Sequence, residues 1–386
     1  MSITPPANLS RIIIALGLSG FLVACGNDGD SNNSPSSSSG SSTNNSTANS
    51  GLIKVNQLGF LPESAKVAIV PNVAATNFKL VKAGTATEVF SGTLSAAAVW
   101  DAAEESVKVA DFSSVKTPGD YQLRVDGLAD SHVFSIAPDV YSALTAASIK
   151  AFYFNRSGIE LLPEFAGKFA RPLGHPDTQV LIHPSAASDA RPAGTVVSSP
   201  KGWYDAGDYN KYIVNSGIAT YTLLAAYEHF PELFNKQNLI IPESGNALPD
   251  LLDEALWNLE WMLTMQDPND GGVYHKLTNK NFDGTVMPHQ ATSERYLVQK
   301  TTAGALDFAA VMAVASRVFG EYETQLPGLS AKMLKAAESA WEWANIHPAI
   351  VYEQPADVHT GEYGDKTLSD EFAWAAAELD VTTRVD

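Results

Sequence analysis

The 386-residue chain has one cysteine, Cys25. No intramolecular disulfide can close and no cysteine cluster can bind zinc, so folded parts must be held by their apolar cores. Basic residues are also scarce, with 25 Lys and Arg against 43 Asp and Glu and a formal charge of −18. That balance argues against nucleic acid and anionic membrane surfaces as partners, since both require cationic patches. A neutral substrate fits better. After the first 25 residues no run is expected to be long and apolar enough to cross a bilayer. What remains suffices for folding: 45% of the residues are hydrophobic and 18% charged, as in globular proteins. The length allows two or three domains.

The lone cysteine closes the stretch "RIIIALGLSGFLVAC". Arg11 followed by a short apolar run at the N-terminus reads as a secretory signal. Leu22-Val23-Ala24-Cys25 resembles a bacterial lipobox, in which the cysteine becomes the lipidated first residue; an ordinary signal with a chance cysteine is the alternative. Gly26 after the cysteine resembles outer-membrane sorting in a Gram-negative host. Residues 26–50 are almost wholly Ser, Asn, Gly and Asp, which build no core and read as a flexible tether. Residues 1–25 are therefore expected to direct export, with the membrane a partner only through the lipid on Cys25. The exported part is then a periplasmic or cell-surface protein.

Residues 51–138 alternate in short runs separated by turns. "LIKVNQ", "KVAIV", "FKLV", "EVFSG", "SVKVADF", "DYQLRV" and "HVFSI" are seven strand candidates, which predicts an immunoglobulin-like β-sandwich. "DYQLRV" is the clearest, with Tyr121, Leu123 and Val125 on one face. Residues 139–386 read as helical. Candidates span 141–158, 212–231, 249–266, 301–319, 329–348 and the start of one at 369–379, with Pro249 in the first turn of its helix. The helix at 301–319 is apolar nearly all round, as an inner helix of two concentric rings should be. The connection 159–200 is longer than a structural link needs and is expected to help build a site.

The stretch "KGWYDAGDYNKYIVNSG" (201–217) carries the chemistry. Asp205 and Asp208 precede a helix, and Ala206-Gly207 allows a tight turn that aims both carboxylates at one place. The helix N-terminus should favour their ionised forms. One ionised carboxylate can deprotonate a water while its neighbour holds that water. Trp203 and Tyr204 offer apolar ring faces to a sugar. The same four residues also suit a plain turn, with one Asp as a cap, the other in an Asx turn and the rings in the core. A four-residue pattern does not decide between the two.

More of the chain does. "GWYDAGDYNKYIVNSG" resembles the aspartate motif of family nine glycoside hydrolases, cellulases with an (α/α)6 barrel. "IKVNQLGFLP" (53–62) resembles the start of the immunoglobulin-like domain that precedes the barrel in one branch of that family. "LPDLLDEALWNLEWMLTMQ", "GGVYHKLT" (271–278) and "YGDKTLSDEFAWAAAEL" (363–379) resemble successive blocks of the catalytic domain, in order. The resemblance implies an inverting hydrolase of β-1,4-glucans, polysaccharide or oligosaccharide. Asp208 would be the general base and Asp205 would bind and orient the water. His275, in "VYHKLT", is implied as lining the sugar cleft, with a structural role as the alternative. The reaction needs no cofactor.

Inversion also needs a protonated carboxylic acid at the leaving group. In the family a glutamate in a later block supplies it. The closing "DVTTRVD" matches nothing, Glu371 and Glu378 belong to another block, and about half the helices of a double ring are found. The chain is accordingly expected to be a fragment or truncated product. A barrel completed by a second polypeptide, or a non-catalytic oligosaccharide-binding lipoprotein, are the alternatives. A glucosaminidase of the same family is a further one. A half ring should also expose apolar flanks on helices such as 301–319. Relatives carry structural zinc, which is doubtful here because Ser157 takes a ligand cysteine's place and His175 and His183 alone remain. Structural calcium is possible through Asp253, Asp365 and Asp370.

Overall fold

The computed structural model describes residues 52–384. The signal segment with Cys25 and the tether at 26–50 lie outside the described residues.

The alternating segments pair into two antiparallel sheets. Their strands are β1 (Val67–Pro71), β2 (Asn77–Lys82), β3 (Glu88–Thr93), β4 (Ala98–Trp100), β5 (Glu105–Asp111), β6 (Gly119–Arg124) and β7 (Phe134–Ile136). One sheet runs β1-β5-β4 and the other β3-β2-β6-β7. Tyr121 and Leu123 are buried between them with Phe78, Leu80 and Ile136, the face that the period of two marks out. Phe60 meets Phe112 and Phe134 edge-on, with ring centroids 5.4 and 5.5 Å apart, the arrangement aromatic quadrupoles favour. The Tyr121 hydroxyl donates to the Thr117 carbonyl at 2.9 Å, a tether like the tyrosine corner of such sandwiches.

Two strand expectations need correction. "LIKVNQ" forms only an isolated bridge between Lys54 and Ile69, because its Ile53 alone turns fully into the core. The seventh strand is instead β4, an edge strand whose three residues are all exposed. It shows no alternation to read.

Six long helices follow: α1 (Ser142–Phe154), α3 (Ile213–His229), α5 (Asp250–Thr264), α6 (Thr302–Gly320), α7 (Leu329–Ile346) and α8 (Ser369–Arg384). The short α2 (Pro163–Ala166) and α4 (Pro231–Phe234) lie between them. Pro249 is the N-cap of α5 rather than part of its first turn, since its ψ of 136° is extended. All six long helices fall where the 3.6-residue period puts them. Helix α6 is the hub, packed by α3, α7 and α8. Its Ala305, Ala309, Ala310 and Ala313 are small enough to let neighbours close in, and each is fully buried.

Helix α6 overturns two expectations. Its flanks are not exposed, because α3, α7 and α8 cover it and nearly every residue from Thr302 to Phe319 is buried. It is also long and apolar enough to span a bilayer by composition, yet its apolar surface is satisfied by protein. One acid lies on it. Asp307 is 8% exposed, and burial raises its pKa well above the usual carboxylate range, with Glu371, Asp370 and Asp365 adding to the effect.

The connections hold a small sheet that no periodicity announced, since its strands are only two or three residues long. β8 (Val180–Ile182), β9 (Val196–Val197), β10 (Lys211–Tyr212), β11 (Lys276–Thr278) and β12 (Tyr296–Leu297) pair in the order β10-β11-β12-β8-β9. It ties the 159–200 connection to the start of α3. Gly202 lies against this assembly with a φ of +84°, and a Cβ there would sit 2.7 Å from Trp261 Cγ and 3.0 Å from Lys211 Cδ. Both the left-handed backbone and the clash act against any side chain. Gly202→Ala is expected to cost about 2–4 kcal/mol, read as a lower midpoint in urea unfolding.

Candidate active site

Helix α5 grips the segment that leads into the Asp205–Asp208 turn. The Trp203 amide donates to Asn258 Oδ1 at 3.1 Å, and its indole Nε1 donates to Glu254 Oε1 at 2.8 Å. Glu254 is in turn paired with Arg156 at 2.9 Å, both side chains being fully buried. Arg156 also meets Glu243 at 2.9 Å and lies over the Trp257 ring. A buried cation with two carboxylates is costly to break once formed, so residues 202–204 have a fixed seat.

That seat removes both aromatics from the sugar-contact role. Trp203 and Tyr204 are each 4% exposed. The first packs on Phe152, and the second hydrogen-bonds His175 Nδ1 at 2.9 Å. Here the plainer reading of the motif holds, and the rings fill the core.

The carboxylates differ. Asp205 and Asp208 are only half-buried, and the Asp205 amide donates to the Asn210 carbonyl at 3.0 Å to close the turn. Asp205 Oδ1 accepts from Asn215 Nδ2 at 2.7 Å, and its Oδ2 accepts from the Tyr363 hydroxyl at 2.9 Å. Asp208 Oδ2 accepts from the Tyr212 hydroxyl at 2.7 Å and from Asn210 Nδ2 at 3.1 Å. Its Oδ1 is buried and has no hydrogen-bond partner among the described residues. The two phenol rings meet edge-on at 4.7 Å. Each carboxylate therefore has its own tyrosine, and the tyrosines brace each other. Burial, followed by the carboxylates they serve, raises the pKa of both phenols, that of Tyr363 to about 12. They stay protonated donors.

Burial acts against the effect expected of the helix N-terminus on Asp205. Burial raises its pKa despite the hydrogen bonds from Asn215 and Tyr363, with the charge of Asp208 adding to the rise. Desolvation of the charged form is the largest cause.

A buried ionic network holds the residue after Asp208. Tyr209 has a φ of +50°, a left-handed conformation unfavourable for a side chain of this size. The Arg295 Nη1 donates to its carbonyl at 2.7 Å. Arg295 and Lys211 both pair with Asp177, at 3.3 and 2.8 Å. Burial alone would raise the Asp177 pKa, but these two cations hold it below the usual range. The network fixes the peptide that leaves Asp208.

His275 is not a cleft residue either. It is 1% exposed, stacked on Tyr352 at 4.1 Å between centroids. Its Nε2 lies 2.8 Å from the Glu362 carbonyl and its Nδ1 3.0 Å from Thr301 Oγ1. Burial lowers its pKa to about 4, so the ring is neutral at pH 7. A carbonyl only accepts, so Nε2 carries the proton and Nδ1 accepts from the Thr301 hydroxyl. Lys276 beside it donates to the Gly361 carbonyl at 2.6 Å and to Thr360 Oγ1 at 3.1 Å. Together they hold the 360–363 segment, and with it Tyr363, over Asp205. Sequence reading missed Tyr363 because it lies 158 residues from Asp205. Tyr212 and Asn215 stood in the quoted motif, where their helical spacing drew attention to α3 instead.

The metal candidates do not come together. Among the described residues no three His, Cys, Asp or Glu side chains converge on a point. Asp253 accepts from Asn246 at 2.9 Å and Asp365 from the Thr367 amide at 2.7 Å, while Asp370, in the first turn of α8, lies near enough to Asp365 for both to act on Asp307 and Glu371. Ser157 donates to the His175 carbonyl, and His183 pairs with Asp357 at 3.2 Å.

With fold and carboxylates placed, the class follows: the chain belongs to glycosyl hydrolase family 9, whose model matches residues 141–386. Residues 48–130 match the cellulase N-terminal immunoglobulin-like domain. Among curated proteins it is similar to the xyloglucan-specific endo-beta-1,4-glucanase of Bacteroides ovatus, 49% identical over 341 residues, which are 86% of this chain and 57% of that protein. Endoglucanase D of Acetivibrio thermocellus is 35% identical over 330 residues, 85% of this chain and 51% of that one. A solved Bacteroides ovatus family 9 structure superposes with a TM-score of 0.82 at 48% identity, covering 86% of this chain and 62% of that one. A metagenome-derived family 9 endoglucanase gives 0.77 at 32%, covering 86% and 61%. The chain thus spans little more than half the length of these curated relatives.

Burial also lowers the His175 pKa to about 4, with Arg295 adding to the effect. Between pH 6.5 and 4 the folded chain binds fewer protons at His175 and His275 than the unfolded chain does. Stability is therefore full above pH 6.5 and falls as the pH drops through 4. His275→Gln should remove one of the two contributions, about 3 kcal/mol. Urea midpoints at pH 7 and pH 4.5 should differ less for the variant than for the unaltered chain.

Proposed function

We propose that this chain carries the water-activating half of an inverting β-1,4-glucan hydrolase, with Asp208 as general base and Asp205 orienting the water. The observation that carries this reading is the pair of half-exposed carboxylates in one turn, each held by its own tyrosine hydroxyl. The two oxygens of Asp208 have different tasks. Oδ2 is held by Tyr212 and Asn210, while Oδ1 is buried with no donor among the described residues; in this reading Oδ1 accepts the proton of the attacking water once a water reaches it. Asp205 presents its carboxylate to the same water, with Asn215 and Tyr363 fixing its plane. Water attacks the anomeric carbon as the glycosidic bond breaks, and the configuration inverts. The reading assigns no residue to the general acid.

The substrate class follows the relatives, an endoglucanase and a xyloglucan-specific endo-β-1,4-glucanase. An acidic chain suits such a neutral polymer. Export through residues 1–25 and lipid attachment at Cys25 belong to the same proposal, because the polymer lies outside the cell. Loss of radiolabelled palmitate incorporation in Cys25→Ser would support the attachment, and incorporation into that variant would count against it.

Reducing-sugar release from carboxymethylcellulose and from xyloglucan tests the chemistry. Asp208→Asn is expected to lose about 10²- to 10⁴-fold in rate with oligosaccharide binding retained. Binding without hydrolysis by the unaltered chain supports a non-catalytic binder instead. Faster turnover of glucosamine oligomers supports a glucosaminidase.

A further inference from the structure

The loop between β11 and β12 folds around a surface cavity of about 220 Å³. Lys280, Asn281, Phe282 and Asp283 line one arm, and Ser293, Glu294 and Tyr296 the other. Neither Asp205 nor Asp208 borders it. It is nonetheless wired to the carboxylate turn. Asp208 Oδ2 accepts from Asn210 Nδ2, Asn210 Oδ1 accepts from the Asn279 amide at 3.1 Å, and Asn279 Nδ2 donates to Asp283 Oδ2. Tyr209, next to Asp208, donates its hydroxyl to the Val286 carbonyl in the same loop. The register agrees. β10 follows directly on the Asp208 turn, and β12, which carries Tyr296, is two strands away. Two interstrand spacings are roughly 10 Å.

The lining has the chemistry of a sugar subsite. Phe282 leaves an exposed ring, 53% accessible, and the Tyr296 ring, with the Lys280 ammonium over it at 5.1 Å, lines the other arm. Around them stand the Asn281 amide, the Ser293 hydroxyl and the carboxylates of Asp283 and Glu294, which supply donors and acceptors side by side. Hydroxyl groups, which both donate and accept, match such a mixture. The rim is held in place: Ser293 donates to Asp283 at 2.8 Å, Tyr296 to Glu294 at 2.8 Å, and Lys280 pairs with Asp357 at 2.8 Å. The two lining carboxylates, Asp283 and Glu294, outnumber the one lining ammonium, which Asp357 already pairs, and repel an anion. Lys280 opposes a cation, and no three acidic side chains converge there. The volume falls below the roughly 300–1,000 Å³ of pockets for drug-sized ligands and suits a single ring.

We propose that this cavity is a subsite for one neutral sugar ring of the bound glycan, remote from the bond that is cleaved. The inference rests on reading the chain as a β-1,4-glucan hydrolase. The glycan threads past Asp208, and a ring on one flank, in the main chain or pendant from it, seats against Phe282 with its hydroxyls toward Asn281 and Asp283.

Calorimetric titration of the full chain and of Asn281→Ala and Phe282→Ala with cellotriose, cellohexaose and a xylose-branched glucan oligosaccharide tests it. Each variant is expected to bind cellohexaose or the branched ligand about five- to tenfold more weakly, with cellotriose affinity and thermal midpoint unchanged. Unchanged affinity for both larger ligands overturns the proposal, as does an equal loss for cellotriose. Preferential binding of a glucosamine oligomer that is lost in Asp283→Asn overturns the neutral-sugar assignment. If the unaltered chain binds none of the three glucans, the glucan reading itself fails and the subsite falls with it.

Discussion

A carboxylate that is to take a proton from water must be held firmly by donors that do not neutralise it. The hydrogen bond from Tyr212 to Asp208 meets that condition, and much of the surrounding structure serves it. A phenol with a raised pKa donates without bringing a positive charge, unlike Lys or Arg, which would hold the carboxylate ionised but poorly basic. The cations near the turn are kept one step back. Arg295 grips the Tyr209 carbonyl, and Lys276 lies 5.6 Å from the centre of the Tyr212 ring rather than on the carboxylate. Charge fixes the backbone while neutral donors fix the reacting groups.

Several distant elements must meet for this arrangement to exist. Helix α5 seats residues 202–204, α3 supplies Asn215, β10 supplies Tyr212, and the 360–363 segment supplies Tyr363. The small sheet and the buried pair His275 and Lys276 bring the last of these into place. His275 and Tyr363 thus act in series, one pinning the segment and the other reaching the carboxylate.

The sequence disclosed what depends on local period and on contiguous motif. The six long helices, the buried face of β6 and the Asp205–Asp208 turn were all legible, because each is written in neighbouring residues. What escaped was set by partners far along the chain. Trp203, Tyr204 and His275 have side chains suited to a sugar cleft, and only their packing on Phe152, His175 and Tyr352 shows them to be buried. The flanks of α6 were expected to be bare because helices were counted, whereas coverage depends on how α3, α7 and α8 converge. Strands of two or three residues, such as β10 and β12, are too short to show any period.

Helix α6 has a bearing on biogenesis. Its 19 residues have the length and apolarity of a bilayer span. A chain exported unfolded, as the Cys25 reading implies, would present that segment to the translocation channel before α3, α7 or α8 could enclose it. Asp307 then has a second effect: an acidic side chain at the centre of a span costs roughly 2.5–3.5 kcal/mol on insertion scales, less toward the ends. In an exported chain, the acid that burial strains in the finished interior would bias the nascent helix toward passing through the channel instead of lodging in the lipid.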